Sequence, residues 1–186
     1  MSRFLLALRA LLALLLPATA SAQEAEGAAQ VRVEILRDGD AWTATYRFSG
    51  DSDEWAFPRS NRAREQDTGW RQLSWTVKTD GVSLVRIGER DVLLADNGTM
   101  PDSVEIAFEP FGEDLAADYD PALLSSNGAV ALFTGHFAVL PWLGEELRMA
   151  GEGPEIEMVF RDSGGPLMYK GQQYDSATTF DQGTYV

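Results

Sequence analysis

The feature that most constrains the fold of this chain is an alternation of apolar and polar residues with a period of two. In the first stretch Val31, Val33 and Ile35 alternate with charged residues, and after a turn-forming Asp-Gly-Asp at 38–40 a second alternating row runs over 42–48. Successive side chains of a β-strand point to opposite faces, so this pattern predicts a β-hairpin with one buried face.

The same pattern recurs along the chain. Further segments with this alternation or with short apolar runs, separated by turns rich in Gly, Asp, Asn and Pro, lie at 73–77, 82–87, 92–94, 104–108 and 156–160. A long apolar run at 128–140 predicts a central strand buried on both faces. Helical turns are expected only at 115–117 and 143–149. Roughly eight short strands with little helix predict an all-β, mainly antiparallel β-sandwich.

Residues 1–22 have the pattern of an export signal. Arg3 and Arg9 flank and interrupt an apolar stretch that Pro17 ends, and an Ala-Ser-Ala cleavage sequence finishes at Ala22. The apolar stretch is too short to span a bilayer, which favours a cleaved signal over an uncleaved membrane anchor. We therefore expect a periplasmic or secreted protein.

This signal divides the chain into three parts. Cleavage is expected between Ala22 and Gln23, followed by a short polar leader at 23–29 and a β-sandwich domain at 30–186. The sequence stops at the β-branched Val186 just after a turn, which favours a truncated domain, or a second domain beyond this residue in the intact gene product.

The charge and the cysteine content exclude several classes of function. The formal net charge is −14, which disfavours nucleic acids and anionic membranes as partners. The chain has no cysteine, so thiol catalysis, cysteine-ligated zinc and iron–sulfur clusters are excluded. Its order must come from burial of apolar side chains without disulfides.

One string resembles the block around the nucleophilic serine of trypsin-like proteases, namely Asp162-Ser163-Gly164-Gly165-Pro166-Leu167. In those proteases a glycine before the aspartate donates an oxyanion-hole N–H, and here that position is Arg161. The only histidine, His136, has an unrelated sequence context. We therefore interpret residues 163–166 as a turn.

The polar side chains do not make a recognisable catalytic or metal site. His136 is alone, whereas a His-Glu-x-x-His zinc site needs two histidines, so a hydrogen-bonded histidine near the end of a core strand is expected. Asp114, Asp118 and Asp120 form an acidic loop without the glycine and terminal glutamate of a calcium-binding EF-hand. No catalytic residue, metal ligand or cofactor is predicted.

The aromatic segments allow two interpretations. Trp55, Arg59 and Trp70 lie in predicted loops, and tryptophan and arginine are the residue types that anchor protein interfaces. Large aromatic side chains are more often buried, which favours the interpretation that the tryptophans close one end of a sandwich. Partner binding by these three residues is one hypothesis, and core packing is the other.

The aromatic segments, taken together with three others, resemble the amino-terminal β region of exported M61-type proteins, the relatives of glycyl aminopeptidase. The segments that carry the resemblance are Trp55–Ser60, Trp70-Arg71, Trp75, Asp118–Ala122 and Gly128–Phe137. In such proteins a β domain precedes a zinc peptidase-like domain. The resemblance implies a sandwich fold and an accessory role, with the zinc ligands and catalytic glutamate in a domain beyond Val186.

These observations lead to one main hypothesis and two alternatives. The main hypothesis is a non-catalytic amino-terminal β domain of an exported M61-like metallopeptidase, which assists substrate binding or docks a downstream catalytic domain. One alternative is a freestanding periplasmic or secreted binding or protein-interaction module. The other is an independent hydrolase, whose carboxylate pair the sequence does not locate.

Overall fold

The structure of the chain is a computed structural model, which describes residues 30–50, 52–64, 68–113, 115, 117–143, 146–147, 154–174 and 177–186. The predicted export signal and polar leader lie outside these residues. Within the described ranges, no helix combines the length and the apolar character that crossing a membrane requires.

Strands dominate the described residues. They contain fifteen strands, one α-helix and one 3-10 turn: β1 (Gln30–Asp38), β2 (Ala41–Ser49), β3 (Glu54–Phe57), α1 (Trp70–Ser74), β4 (Trp75–Val77), β5 (Val82–Ile87), β6 (Arg90–Ala95), β7 (Ser103–Phe108), β8 (Ala122–Leu124), β9 (Val130–Leu132), the 3-10 turn (Thr134–His136), β10 (Leu140–Leu143), β11 (Glu146–Leu147), β12 (Glu155–Asp162), β13 (Leu167–Tyr169), β14 (Gln172–Tyr174) and β15 (Thr178–Phe180).

These strands form two main sheets. The larger sheet has the order β15-β12-β1-β2-β7-β4, and the smaller sheet has the order β11-β10-β3-β6-β5. Two hairpins, β8–β9 and β13–β14, make separate two-stranded sheets. All neighbouring strands pair antiparallel except β1 and β12, which run parallel. The predicted all-β, mainly antiparallel sandwich is confirmed, but the described residues form fifteen strands instead of roughly eight, because several short segments of two to four residues also pair.

The predicted hairpin at 31–48 is confirmed by β1 and β2. Asp38 pairs with Ala41 across a two-residue turn in which Gly39 has a φ of +61°, a conformation that glycine adopts without strain. In this register Val33 lies opposite Tyr46, and both side chains are buried. The alternation therefore places one face of the hairpin in the core and the other in solvent.

The core lies between the two sheets, where their aromatic side chains meet. The ring of Phe48 in the larger sheet stacks on Trp55 in the smaller sheet at 4.6 Å, and Tyr46 meets Phe57 edge to face at 6.0 Å. The Tyr46 hydroxyl donates to the carbonyl oxygen of Phe137 at 3.1 Å. Each large side chain fully buried here stabilises the fold by about 1.5–3 kcal/mol.

The predicted central strand at 128–140 is wrong. The chain there forms β9, then the 3-10 turn at Thr134–His136, and enters β10 only at Leu140. Its buried, apolar character has a different origin, because the turn is enclosed between Trp70 and Phe133, whose rings lie 5.3 and 5.6 Å from that of His136. An uninterrupted apolar run does not distinguish a buried strand from a buried turn.

Two smaller expectations also differ from the structure. The helical turns predicted at 143–149 are wrong for the residues described there, because β10 continues to Leu143 and Glu146–Leu147 form β11, which pairs with β10. Conversely, residues 73–74, expected in a strand, close the short helix α1, and extended structure begins only at Trp75. Pairing with β7 and burial of Trp75 decide where the strand starts.

Candidate functional site

A fully buried arginine lies between the two sheets at one end of the sandwich. Arg71, the second residue of α1, is 0% exposed, and its Nη1 lies 2.9 Å from Oδ2 of Asp91, which is also 0% exposed. Nη1 also donates to the carbonyl oxygen of Arg59 at 2.7 Å, and Nη2 donates to that of His136. Three ring centroids lie 4.1, 4.5 and 5.1 Å from the Arg71 Cζ, those of Phe57, Trp70 and Trp75.

Asp91 holds this arrangement together because both of its carboxylate oxygens are used. Oδ1 accepts hydrogen bonds from Arg86 Nη1 at 2.7 Å and from Gln72 Nε2 at 3.1 Å, while Oδ2 accepts from Arg71. Asp91 and Arg86 are direct partners across the β5–β6 hairpin, so their side chains share one face. The backbone N–H of Asp91 donates to the Ser60 hydroxyl at 2.9 Å.

Gly69 makes room for this cluster. A Cβ atom at Gly69 would lie 2.1 Å from Gln72 Oε1, 2.6 Å from Arg86 Nη1 and 2.7 Å from Asp91 Oδ1. Any side chain at position 69 would therefore displace the polar groups around the carboxylate.

Burial sets the electrostatics of the cluster. Removal from water lowers the pKa of the Arg71 guanidinium, and the negative charge of Asp91 opposes that shift. An arginine remains protonated even so, because its ordinary pKa lies far above neutrality. The cluster is thus a buried ion pair whose groups bond to one another and to backbone carbonyls, an arrangement that holds β5, β6, α1 and the 3-10 turn together.

His136 is buried next to this ion pair. Its side chain is 0% exposed, and its Nε2 lies 3.0 Å from the carbonyl oxygen of Tyr119, an acceptor, so Nε2 carries the proton. Burial, and then the positive charge of Arg71, lower the pKa of His136 from 6.5 to about 4. The imidazole is therefore neutral at pH 7 and is enclosed by the protein.

The other polar candidates do not converge on a catalytic centre. Ser163 lies in an exposed turn after β12, as expected, and its hydroxyl donates to Asp38 Oδ1 at 2.6 Å. Asp118 is exposed and Asp120 is half-buried, while Asp114 lies outside the described residues. Among the residues whose placement is described, no group of three or more His, Cys, Asp or Glu side chains could hold a metal ion.

The three residues predicted to bind a partner have separate environments. Trp55 is 0% exposed and Trp70 is 1% exposed, so both side chains lie in the core, and partner contact by either one stays a prediction that its burial does not favour. They close the sandwich, as the alternative interpretation of the aromatic segments expects. Arg59 is half-buried and reaches the surface.

Arg59 lies against an aromatic pair that the sequence did not single out. Its Cζ is 5.2 Å from the ring centroid of Phe133 and 5.5 Å from that of Tyr119. These two rings stack in parallel, with centroids 4.5 Å apart and planes 4° from parallel. Tyr119 is 44% exposed, whereas Phe133 is buried. We call Arg59, Tyr119 and Phe133 the Arg59 platform.

A separate open cavity of about 360 Å³ lies between the β8–β9 hairpin and the segment that joins β12 to β13. Buried core side chains form its floor, namely Ile35, Leu132 and Phe160. Leu123 and Met168, which are 47% and 54% exposed, line it as well. The cavity is mostly apolar and has the volume of a small ligand pocket.

Comparison with known proteins adds no relative to this description. No protein-family model matches the chain, and no curated protein matches it. The function must therefore be argued from the fold and from the contacts described above.

The buried ion pair was missed by sequence reasoning, although one signal for it was present. Arg86 and Asp91 interrupt otherwise apolar segments on either side of the tight turn at Gly88, which has a φ of +56°. A hairpin centred on that turn places them opposite each other. No comparable signal linked them to Arg71 or to His136, because those contacts bridge separate elements of the fold.

Proposed function

We propose that this chain is a non-catalytic β-sandwich domain of an exported M61-like metallopeptidase, in which it assists substrate binding or docks a catalytic domain. A peptide or a downstream peptidase domain would be its partner, in the periplasm or outside the cell. The proposal assigns chemistry to another part of the assembly and a structural or binding role to this domain.

The state of His136 carries the non-catalytic part of the proposal. The chain has one histidine, and a general base must reach the proton that it removes. Here the imidazole is enclosed and hydrogen-bonded to a backbone carbonyl, and its pKa of about 4 lies far below the value that suits a base near neutral pH. The buried carboxylate of Asp91 is likewise fully occupied by arginine and glutamine donors.

Assignment to an M61-like protein rests on the sequence resemblance, and a sandwich fold is compatible with it. Many unrelated functions share the β-sandwich, so the fold alone carries no activity. The assignment is tested by reading the gene beyond the codon for Val186. A following domain with His-Glu-x-x-His would support it, and a stop codon directly after Val186 would contradict it.

The non-catalytic role is tested on the exported, purified chain. We expect substoichiometric zinc by elemental analysis and no release of nitroaniline from aminoacyl nitroanilides, with a known zinc aminopeptidase as the positive control. Turnover that follows the protein through purification and disappears in a His136→Gln variant would contradict the proposal, because it would place the imidazole in a reaction.

The cavity between β8–β9 and β12–β13 favours a second candidate, a freestanding module that binds one small apolar molecule. Trp42 lines this cavity, so energy transfer from tryptophan to a bound neutral dye, N-phenyl-1-naphthylamine, would report binding. Ala131→Phe should fill the cavity and abolish the signal. Ala177→Phe, in the half-buried segment before β15 and outside the cavity, is the matched control. Equal dye binding by both variants would exclude this candidate.

A further inference from the structure

Among the described residues, Arg59 is the arginine whose guanidinium has ring contacts but no hydrogen-bond or salt-bridge partner. In the part of the chain that the structure describes, no hydrogen bond or ion pair engages its guanidinium, whereas each other arginine there has at least one. The acidic loop residues Asp118 and Asp120 flank Tyr119 in sequence, yet neither carboxylate pairs with Arg59. A guanidinium that is half-buried and unpaired retains donors for another molecule.

The surroundings hold Arg59 in one place. The Arg59 carbonyl oxygen accepts a hydrogen bond from the buried Arg71, and the Pro58 carbonyl oxygen accepts one from Arg90. The proline ring also restricts the backbone before Arg59. After Arg59, the Ser60 hydroxyl donates to the carbonyl oxygen of Phe57 at 2.6 Å. The main chain is therefore fixed on both sides, which lowers the entropy cost of binding through this side chain.

Contacts with His136 and Tyr185 also hold the Tyr119 and Phe133 rings of the platform in place. The backbone of Tyr119 accepts from His136, and the ring of Tyr185 lies 5.1 Å from Phe133 while its hydroxyl donates to the Asp120 carbonyl at 3.0 Å. Gly135 allows this close packing. A Cβ there would lie 2.6 Å from Phe133 Cε1 and 3.1 Å from Arg59 Nε.

We propose that the Arg59 platform binds a peptide carboxylate that is adjacent to an apolar or aromatic group. The rings lie against the guanidinium, so its N–H groups remain for a planar, bidentate acceptor, and a carboxylate has that geometry. The exposed ring of Tyr119 offers stacking area to the adjacent group. The net charge of −14 repels polyanions, which favours a single carboxylate.

This inference deepens the proposed function, on which it rests, by naming the chemistry of the partner. The probe is N-acetyl-glycyl-phenylalanine, whose terminal carboxylate follows an aromatic side chain, and the matched control probe is its C-terminal amide. Titration into the exported, purified chain is followed by NMR at the arginine side-chain Nε–H signals. We expect the acid to shift the Arg59 signal and to bind at least about tenfold more tightly than the amide, because a charge-assisted pair is lost with the amide.

Variants test whether Arg59 carries the binding. Arg59→Gln should weaken binding of the acid about tenfold or more, and Arg59→Lys should weaken it less, because lysine keeps the charge without the planar fork. Arg62→Gln is the matched control, since Arg62 is in the same loop and pairs with Glu89 at 2.9 Å. Tyr119→Ala should weaken binding through loss of the ring.

Three results would overturn the carboxylate site: equal affinity for acid and amide, no binding of the acid, or an equal loss in Arg62→Gln and Arg59→Gln. If circular dichroism shows that Arg59→Gln is unfolded, the comparison of acid and amide on the unmodified chain still decides whether the carboxylate site exists. Mass spectrometry of the probe separates this outcome from the proposed function. A cleaved probe contradicts the non-catalytic role at any affinity, whereas an intact probe that does not bind overturns only the carboxylate site.

Discussion

Arg71 and Arg59 are close in sequence and both lie against aromatic rings, yet their surroundings are opposite. Arg71 is completely buried, with a carboxylate and two backbone carbonyls as acceptors, whereas Arg59 is half-buried and has ring contacts without an acceptor among the described residues. Burial makes partners obligatory, because a charge taken out of water without them costs several kcal/mol. A guanidinium that water still reaches can stay without a protein acceptor, and its N–H groups are then available to bind a ligand.

The largest effect is expected from removing the partner of the buried arginine. Asp91→Ala leaves Arg71 charged and uncompensated, so the free energy of unfolding should fall by about 3–5 kcal/mol in urea denaturation. Asp96→Ala is the matched control, because Asp96 is exposed directly after β6 and its carboxylate accepts from the Ser83 hydroxyl at 3.0 Å. Similar losses of unfolding free energy in the two variants would mean that the buried ion pair does not stabilise this part of the sandwich more than an exposed aspartate does.

Gly135 links the two arginine environments and should give the next effect. Gly135→Ala places a methyl group against Phe133 and Arg59, and overpacking of this kind costs up to about 3 kcal/mol. Gly165→Ala is the control, because a Cβ there meets nothing within 4 Å. Thermal or urea unfolding of the pair measures the difference. Equal stability would show that Phe133 moves aside freely and that the platform is not rigid.

The buried histidine beside Arg71 predicts a pH dependence. Its folded pKa of about 4 is below the ordinary 6.5, so as the pH falls the unfolded chain takes up a proton that the folded chain refuses. This contribution to stability is present above pH 6.5 and is lost towards pH 4, by about 2 kcal/mol between pH 7.5 and pH 5.

Urea denaturation at several pH values measures this loss. The His136→Gln variant isolates the contribution of the histidine, because all other titratable groups are the same in both proteins. Its free energy of unfolding should fall by about 2 kcal/mol less over the same pH range. Parallel stability curves for the two proteins would contradict the burial of a neutral imidazole.

The smallest effect on stability is expected at the half-buried Arg59. Arg59→Gln removes contacts with Tyr119 and Phe133 that contribute about 0.5–1 kcal/mol, since a solvated cation on a ring gains little. The same change at the buried position, Arg71→Gln, should cost several times more, because it leaves the buried Asp91 without one of its two arginine partners. Urea denaturation compares the two directly, and a larger loss at position 59 would reverse the assignment of structural and binding roles.

Much of the architecture could be predicted from side-chain alternation. The β1–β2 hairpin follows from Val31, Val33 and Ile35 and from the turn at Gly39, because register errors would expose those residues. The apolar run at 128–140 could not be divided into strand and turn in the same way, since a buried turn and a buried strand have similar amino-acid composition. Packing around His136 determines where the chain turns.

The candidate site was far less predictable than the sheets. Arg59 is a candidate by residue type, and its half-buried position leaves it accessible, whereas Trp55 and Trp70, which the binding hypothesis places beside it, are core residues. Residue type indicates what a side chain can do, whereas accessibility depends on what packs over it. The Arg59 platform forms only because the fold brings Tyr119 and Phe133, which are distant in sequence, against Arg59.

By itself, the sequence determined the all-β class, the absence of thiol chemistry and the first hairpin, because period-two patterning and local turn chemistry act between near neighbours. Only the tertiary structure decided that Arg71 and Asp91 meet without water, that His136 is held neutral, and that Arg59 keeps its donors. Those properties depend on burial and on contacts between distant segments, and local sequence does not encode the solvent exposure of an individual charge.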